Sequence, residues 1–527
     1  MSSSRVFCYG SMVLLLCAFA LPAGAQSFKV QCPKTTPSHL TPAAPNTNPN
    51  GGQIKCQQIS GGDGYATMGD GTQTYLFSFG PLSGLKKIVN GQPGTDTVSE
   101  FNVVSPSLLT SASDATPPPL PTWDGAVGLS PDPDATFTRF GATTQCTNAP
   151  SGNTGPNATP ASCITGHVDP RQVMDVGVMN GNIPAPMMAI DEDDEFFLTL
   201  TNVGMIMRPD LFEQHTVHFH GYPNASSFYD GVPDASVAIN IGGSFTYYYL
   251  APDAGTYFWH CHITPPEHLQ MGMVGQIFVR PRQNRVTSGT LRAGLLGQQS
   301  DLRTRSDCAH DILCTSPVPP VDNGVTHRNN KAGVPTLYAY NDGDGSTAYD
   351  VEYPIQIHGF DPNFHFVGMT FNPEPFVDMK DKYFLLNGRS YPDTVKTGPM
   401  YTVSADGAEH YSQPLPAIIN IPAGGRALLR ISDLDVTEFQ TLASLGMPMQ
   451  VIAINARLLR DQAGNNLYYN TNSVTMGGGE SMDVILDATD TTKYPKGAVY
   501  YLYTPNLDHL SNDAENFGGL MTEVHII

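Results

Sequence analysis

Short runs of alternating or β-branched apolar residues, each closed by turn residues, dominate the chain. Gln73 to Phe79, Glu195 to Asn202, Ser244 to Leu250, Thr256 to His262 and Gly275 to Arg280 all have this form, which predicts strands. No helical periodicity long enough to make a core helix interrupts them. Between the strands lie stretches without period. Residues 26–65, rich in Pro, Thr, Asn and Gly, read as an N-terminal tail. Residues from about 104 to 165, with Pro117, Pro118 and Pro119, read as a long Pro/Ser/Thr-rich surface insertion. Residues 284–335, with Pro317, Pro319 and Pro320, read as a linker. The pattern therefore predicts an all-β protein of two sandwiches, one over 66–283 and one over 336–527.

The two blocks end alike. The first closes with Gly255-Thr-Tyr-Phe-Trp-His-Cys-His262 and the second with Gly497-Ala-Val-Tyr-Tyr-Leu-Tyr-Thr504. Each is followed by a histidine, then Gly-Met or Gly-Leu-Met, then a last strand. They read as copies of one sandwich, with Leu502, Tyr503 and Thr504 standing opposite His260, Cys261 and His262.

Composition strengthens the β reading. Glycine (51) and proline (44) are too frequent in 527 residues for a helical bundle, and 14% charged residues is low. A net charge of −21 repels nucleic acid and anionic membrane. Arg5, the apolar run Met12 to Leu21 and Ala23-Gly24-Ala25 have the form of a signal peptide over residues 1–25. The run is shorter than the roughly 18 apolar residues that a membrane span needs, so a secreted or periplasmic protein is expected.

That compartment gives the cysteines meaning. Of nine, Cys8 and Cys17 lie in the signal segment. Cys32/Cys56, Cys146/Cys163 and Cys308/Cys314 are neighbours in sequence and are expected as disulfides, among the roughly 15 connectivities that six cysteines allow. Cys261 is left over, and it sits between two histidines.

Six of the 15 histidines fall in two clusters of the first block: His215, His218 and His220, then His260, His262 and His268. On a strand, His218 and His220 share a face, as do His260 and His262, because side chains alternate with period two. Two such strands side by side would aim four imidazoles at one point. Cys261 then faces the opposite way, into the sandwich. There His215, at an odd offset from His218, can meet it, with His268 and Met273 following on a loop. Two imidazoles, one thiolate and a weak thioether form the ligand set of a blue-copper electron-transfer site. Zinc suits this divided, single-thiolate set less well. The methionines Met174, Met179, Met187, Met188, Met205 and Met207 read as core filler. Asp230, just beyond the first histidine cluster, is a candidate for orienting a ligand or delivering a proton.

The stretches His215-Thr-Val-His-Phe-His-Gly221, Asp230-Gly-Val-Pro233 and Gly255-Thr-Tyr-Phe-Trp-His-Cys-His-Ile263 resemble the multicopper oxidases, relatives of laccases and copper nitrite reductases. Met179 to Pro186 and Asp191 to Glu195 look like the opening of their first domain, and Tyr383 to Arg389 and Val474 to Ala488 like their copper-free middle domain. The resemblance implies two cupredoxin-like Greek-key β-sandwiches, the second without copper and serving as spacer or interface. It implies type 1 copper ligands at His215, Cys261, His268 and Met273, a type 2 ligand at His218, and type 3 ligands at His220, His260 and His262. An electron would enter from a small-molecule or metal-ion reductant at His268, expected near the surface, and leave through Cys261 toward His260 and His262, with oxygen the expected acceptor.

Two departures stand out. His268 follows Cys261 by seven residues where laccases have five, Pro265-Pro266 lengthening the loop. The family's trinuclear cluster draws on eight histidines from two domains, whereas this chain has one set of four, and His358, His365, His509 and His525 lack ligand spacing. A homo-oligomer joining two first blocks would supply the rest. The rival readings are a nitrite reductase-like enzyme, supported by the offset of His215 and His220, and a non-catalytic copper or electron carrier.

Overall fold

The computed structural model describes residues 31–40, 52–102, 138–139 and 142–143, and from 181 onward all but 206, 209, 222–226, 252, 300–317, 324, 326–327, 369–374, 404–408 and 462. The expected signal peptide, the disulfides Cys146/Cys163 and Cys308/Cys314, Met174, Met179 and nearly all of the expected insertion lie outside these residues. The disulfide Cys32–Cys56 is present.

Two β-sandwiches with one strand plan make up the described chain, as the all-β, cupredoxin-like expectation requires. In the first, β1 (Ile54–Thr67), β2 (Gln73–Pro81), β4 (Glu195–Gly204) and β6 (Ser244–Leu250) form one sheet in the order β2-β1-β4-β6. The facing sheet runs β3-β8-β7-β5, from β3 (Met188–Asp191), β5 (His218–Phe219), β7 (Gly255–His260) and β8 (Val274–Arg280). In the second sandwich, β9 (Val351–Phe360), β10 (Tyr383–Leu386), β12 (Arg426–Asp433) and β15 (Ser481–Asp487) repeat the first sheet in the order β10-β9-β12-β15, extended by β14 (Met449–Ile454). Its other sheet repeats the second in the order β11-β17-β16-β13, from β11 (Ile419–Ile421), β13 (Gln440–Leu445), β16 (Val499–Tyr503) and β17 (Met521–Ile526). Even the directions match. β1 and β4 pair in parallel, like β9 and β12, and β3 and β8 pair in parallel, like β11 and β17.

Residues 54–65, expected within the tail, instead form most of the central strand β1. Their pattern conceals this. Gln57, Gln58, Ser60 and Asp63 are buried there, and Gly61, Gly62 and Gly64 break any alternation. The strand is held from both sides by β2 and β4, so its stability comes from backbone pairing that hydrophobic periodicity does not reveal. Part of the expected linker is also built in. It carries the helix Leu291–Gln299, and Leu291 and Val325 pack with Tyr338. Met187, Met188 and Met205 are core residues, as expected.

Alternation places the cores. Leu198, Leu200, Tyr247, Tyr249, Tyr257, Trp259 and Cys261 face into the first sandwich, and Ile355, Ile357, Leu429, Ile431, Val484 and Leu486 into the second. The opposite faces meet at a polar seam. Arg280 Nη2 of β8 donates to Glu352 Oε2 of β9 at 2.8 Å, and Arg430 Nε of β12 donates to Glu352 Oε1 at 2.8 Å. Gln276 Nε2 reaches Arg430 O at 2.9 Å, Arg430 Nη1 reaches Thr256 Oγ1 at 3.2 Å, and Thr256 Oγ1 donates to Asp483 Oδ1 at 2.6 Å. Burial alone would raise the Glu352 carboxyl, but the guanidiniums of Arg280 and Arg430 hold it down at about 2.

Candidate metal centre

Strand pairing brings the two histidine clusters together. His218 lies directly across from His260, and Phe219 across from Trp259. Cys261 continues the inward-facing series of Tyr257 and Trp259 just past the end of β7. Its backbone N–H donates to Met273 O at 3.1 Å, and Met273 N–H donates to His268 O at 2.8 Å, which ties the Cys261–Met273 loop into a compact turn.

On the core side, His268 Nδ1 lies 3.3 Å from Cys261 Sγ. The ligand atoms of His215, Cys261 and His268 all fall within 4.8 Å of one another, and all three residues are buried. Met273 is buried in the same core cluster as Cys261. Both ring nitrogens of His215 and Nε2 of His268 have no hydrogen-bond partner. Buried polar atoms are rarely left so, since each unmade bond costs about 1–3 kcal/mol. Orphaned imidazoles facing a lone thiol fit a thiophilic metal ion. Without one, burial pushes His215 down to about 3, pushes His268 well below the usual histidine range and raises the Cys261 thiol to about 11. His268 sits on a short helix, Pro265–Gln270, rather than on the expected loop. Nor does it reach the surface. Its side chain is buried, and Nε2 faces the part-exposed carboxylate of Glu213 at 3.9 Å.

On the other face, ligand atoms of His218, His220 and His260 lie within 4.8 Å of one another, and the His220 and His260 Nε2 atoms are 3.0 Å apart. The fourth expected member, His262, stacks beside them, with its ring centre 5.0 Å from that of His218 and 5.4 Å from that of His260. His260 Nδ1 donates to Cys261 O at 2.6 Å and His218 Nδ1 donates to Asp230 O at 2.7 Å, so both rings turn Nε2 toward the group. Asp230 thus acts on His218 chiefly through its backbone, with its carboxylate 3.5 Å away. Burial first, and neighbouring histidines second, lower His220 to about 4. Burial likewise takes His260 to about 3.

Three supporting residues escaped the sequence reading. Thr216 N–H donates to Cys261 Sγ at 3.4 Å, and its hydroxyl accepts from His262 N–H at 3.0 Å, so one residue braces both sites. Gly61 lets β1 pass beneath His215, where a Cβ would come within 2.6 Å of the ring. Gly479, at φ +92°, lies against His220, where a Cβ would come within 2.8 Å of Nδ1. The position of Thr216 between His215 and Val217 was the available signal; neither glycine had one.

The second sandwich holds the same turn without the same chemistry. Thr504 N–H donates to Leu520 O at 2.9 Å and Leu520 N–H to His509 O at 2.9 Å, repeating the bonds of Cys261, Met273 and His268. Tyr503 pairs with Met521 and Ala443 as His260 pairs with Val274 and His218. The equivalents of His260, Cys261 and His262 are therefore Tyr503, Thr504 and Pro505. The sequence alignment was one residue out because Gly497 stands before its strand, whereas Gly255 opens β7. Counting back from Ala443 puts Gln440 at the place of His215, and Gln440 Oε1 accepts a hydrogen bond from His509 Nδ1 at 3.0 Å. His509, which lacked ligand spacing in the sequence, is the counterpart of His268. Gln440, Thr504 and Leu520 stand at the places of His215, Cys261 and Met273, and Ala443, Leu445, Tyr503 and Pro505 stand where the first block has its four clustered histidines.

His358 and His365 join neither histidine group. His358 Nε2 donates to Leu269 O at 3.0 Å, and the His365 ring lies between Tyr75 O at 2.6 Å and Gln270 O at 3.0 Å.

Residues 163–284 match the family model described as multicopper oxidase. Over 109 residues, 20% of this chain and 17% of the relative, the sequence is 34% identical to Laccase abr2 of Aspergillus fumigatus. Over 106 residues, 20% of this chain and 25% of the relative, it is 35% identical to a copper-containing nitrite reductase of Neorhizobium galegae. These matches span a quarter or less of either relative's length. Among solved structures, Blue Copper Oxidase from Nitrosomonas europaea aligns at a TM-score of 0.41 and 20% identity, covering 66% of this chain and 78% of that one. The similarity to multicopper oxidases is thus carried by residues 163–284, the segment that holds both histidine groups and Cys261.

Proposed function

We propose that the chain is an exported copper-dependent oxidoreductase that takes single electrons from a reductant at His215, Cys261, His268 and Met273 and passes them to the centre formed by His218, His220, His260 and His262, where oxygen is the acceptor. The observation that carries this is the pairing of two donor groups through consecutive residues. Cys261 belongs to one group and its neighbours His260 and His262 flank the other, so covalent backbone joins them. Copper in the first group would supply one-electron chemistry, and the buried imidazoles and thiol match its preference for soft and borderline donors.

The chain's own residues supply rigidity. Thr216 holds the thiol sulfur and the His262 backbone together, Asp230 and the Cys261 carbonyl keep the His218 and His260 rings in the tautomer with Nε2 free, and Phe77 packs edge-on against His268 with ring centres 5.2 Å apart. A reductant meets this arrangement at the Glu213 side of His268. Burial raises the Glu213 carboxyl, and it also raises that of Glu267, which Glu213 then raises further.

The four histidines of the second group are half of the set that the family resemblance calls for, and the second sandwich offers none at the matching places. A homo-oligomer placing two first blocks face to face would complete it, since an isologous interface repeats each donor by symmetry.

Metal analysis, solution mass and oxygen uptake on the purified, copper-loaded chain test the proposal together. A blue oligomer with more than one copper per chain that consumes oxygen with a phenol or metal-ion reductant is expected. A blue protein reducing nitrite instead would favour the nitrite reductase-like reading, to which the Neorhizobium relative lends support. A blue monomer with one copper and no turnover would favour an electron carrier, and a colourless copper-loaded protein would sink all three.

A further inference from the structure

We infer that the second sandwich positions the first sandwich's metal ligands, through a polar clamp on the helix Pro265–Gln270; the inference rests on the proposed role of His268 and Met273. Leu269 and Gln270, the two residues after His268, are both gripped from the second block. His358 Nε2 donates to Leu269 O at 3.0 Å, Gln270 Nε2 donates to Asp381 Oδ1 at 2.9 Å, and Asp361 N–H donates to Gln270 Oε1 at 3.2 Å. The His365 ring lies between Gln270 O and Tyr75 O, tying the same helix to β2, whose Phe77 packs on His268. All the clamping residues are buried.

The clamp is anchored at the matching place in the second sandwich. The Thr437 hydroxyl contacts Asp381 Oδ2 and, at 2.9 Å, Asp435 Oδ1, and Asp435 Oδ2 accepts from Gln440 Nε2 at 2.6 Å. Gln440 in turn holds His509. A continuous hydrogen-bonded line therefore runs from His509, the counterpart of His268 in one sandwich, to the helix bearing His268 in the other.

A helix of six residues carries little stability of its own, because nucleation outweighs so few backbone bonds. Its neighbours must therefore fix the placement of His268. The second block is thus a positioning element for a metal ligand and more than the expected spacer.

Gln270→Leu removes both side-chain bonds while preserving approximate volume. In the full-length apoprotein, amide exchange over residues 264–273 is expected to accelerate roughly tenfold, the loss of two buried hydrogen bonds, while the β7 and β8 amides keep their protection. In the copper-loaded protein the variant is expected to retain copper but shift the visible band and the midpoint potential. Asp381→Asn, which keeps an acceptor for Gln270, is expected to restore near-native exchange and spectrum, whereas Asp381→Ala is expected to resemble Gln270→Leu and serves in its place should that variant fail to fold. Native exchange over 264–273 in a folded Gln270→Leu or Asp381→Ala protein would overturn the clamp. A colourless wild type with the expected exchange pattern would overturn the copper reading and leave the clamp standing.

Discussion

Replacing Glu352 by Gln at the seam between the sandwiches should destabilise the chain by about 3 kcal/mol at neutral pH, and the acid dependence of that loss identifies its cause. Glu352 is largely shielded from solvent and accepts from Arg280 and Arg430. A carboxyl that titrates near 4.5 unfolded and at about 2 folded contributes about 3 kcal/mol above its unfolded pKa. Breaking buried ion pairs by removing one partner costs about 3–5 kcal/mol, in line with that figure. Because the folded pKa is the depressed one, the contribution is complete above about 4.5 and disappears as the pH falls toward about 2. Urea unfolding of metal-free wild type and Glu352→Gln, followed by the fluorescence of buried Trp259, gives the difference at pH 7, 4 and 2. The expected gap is widest at pH 7 and closes by pH 2, where both chains present a neutral group to the two arginines. A gap below about 1 kcal/mol at pH 7, or one that persists unchanged in acid, would refute the assignment of this stability to the ion pair.

Other outcomes follow from the donor groups. Cys261→Ser should abolish the thiolate-to-copper absorption of the loaded protein while circular dichroism stays native; a variant that stays blue would remove Cys261 from the site. His262→Ala should keep that colour and lose oxygen uptake, because its ring lies with the second histidine group, and undiminished uptake would show that this group is not the acceptor centre.

Much of this site was legible because its chemistry is local in sequence. His-X-His on a strand puts two rings on one face, and Cys261 between His260 and His262 had to face the other way; the structure places all of them so. The clamp, Gly61 and Gly479 were not legible, because they act through contacts between segments far apart in sequence that carry no period or spacing. β1 was missed for a related reason. Its buried Gln57, Gln58, Ser60 and Asp63 look like surface residues until the strands on either side account for the backbone. The alignment of the two blocks slipped because glycine was used as the marker. The carbonyls that accept from the Cys261 and Thr504 amides define equivalence more securely than a turn residue does.

The two equivalent turns differ in how they are satisfied without a metal. In the first sandwich the metal-free core carries imidazole nitrogens with nothing to bond, a standing penalty of about 1–3 kcal/mol for each such atom. In the second, Gln440 gives His509 a hydrogen-bond partner within the protein, so that ring needs no metal to satisfy it. If the proposed ligands hold copper, its removal is expected to soften the first sandwich and leave the second intact. The second half still holds the helix behind His268, so it is expected to work as a mould that keeps the emptied site in shape for reloading.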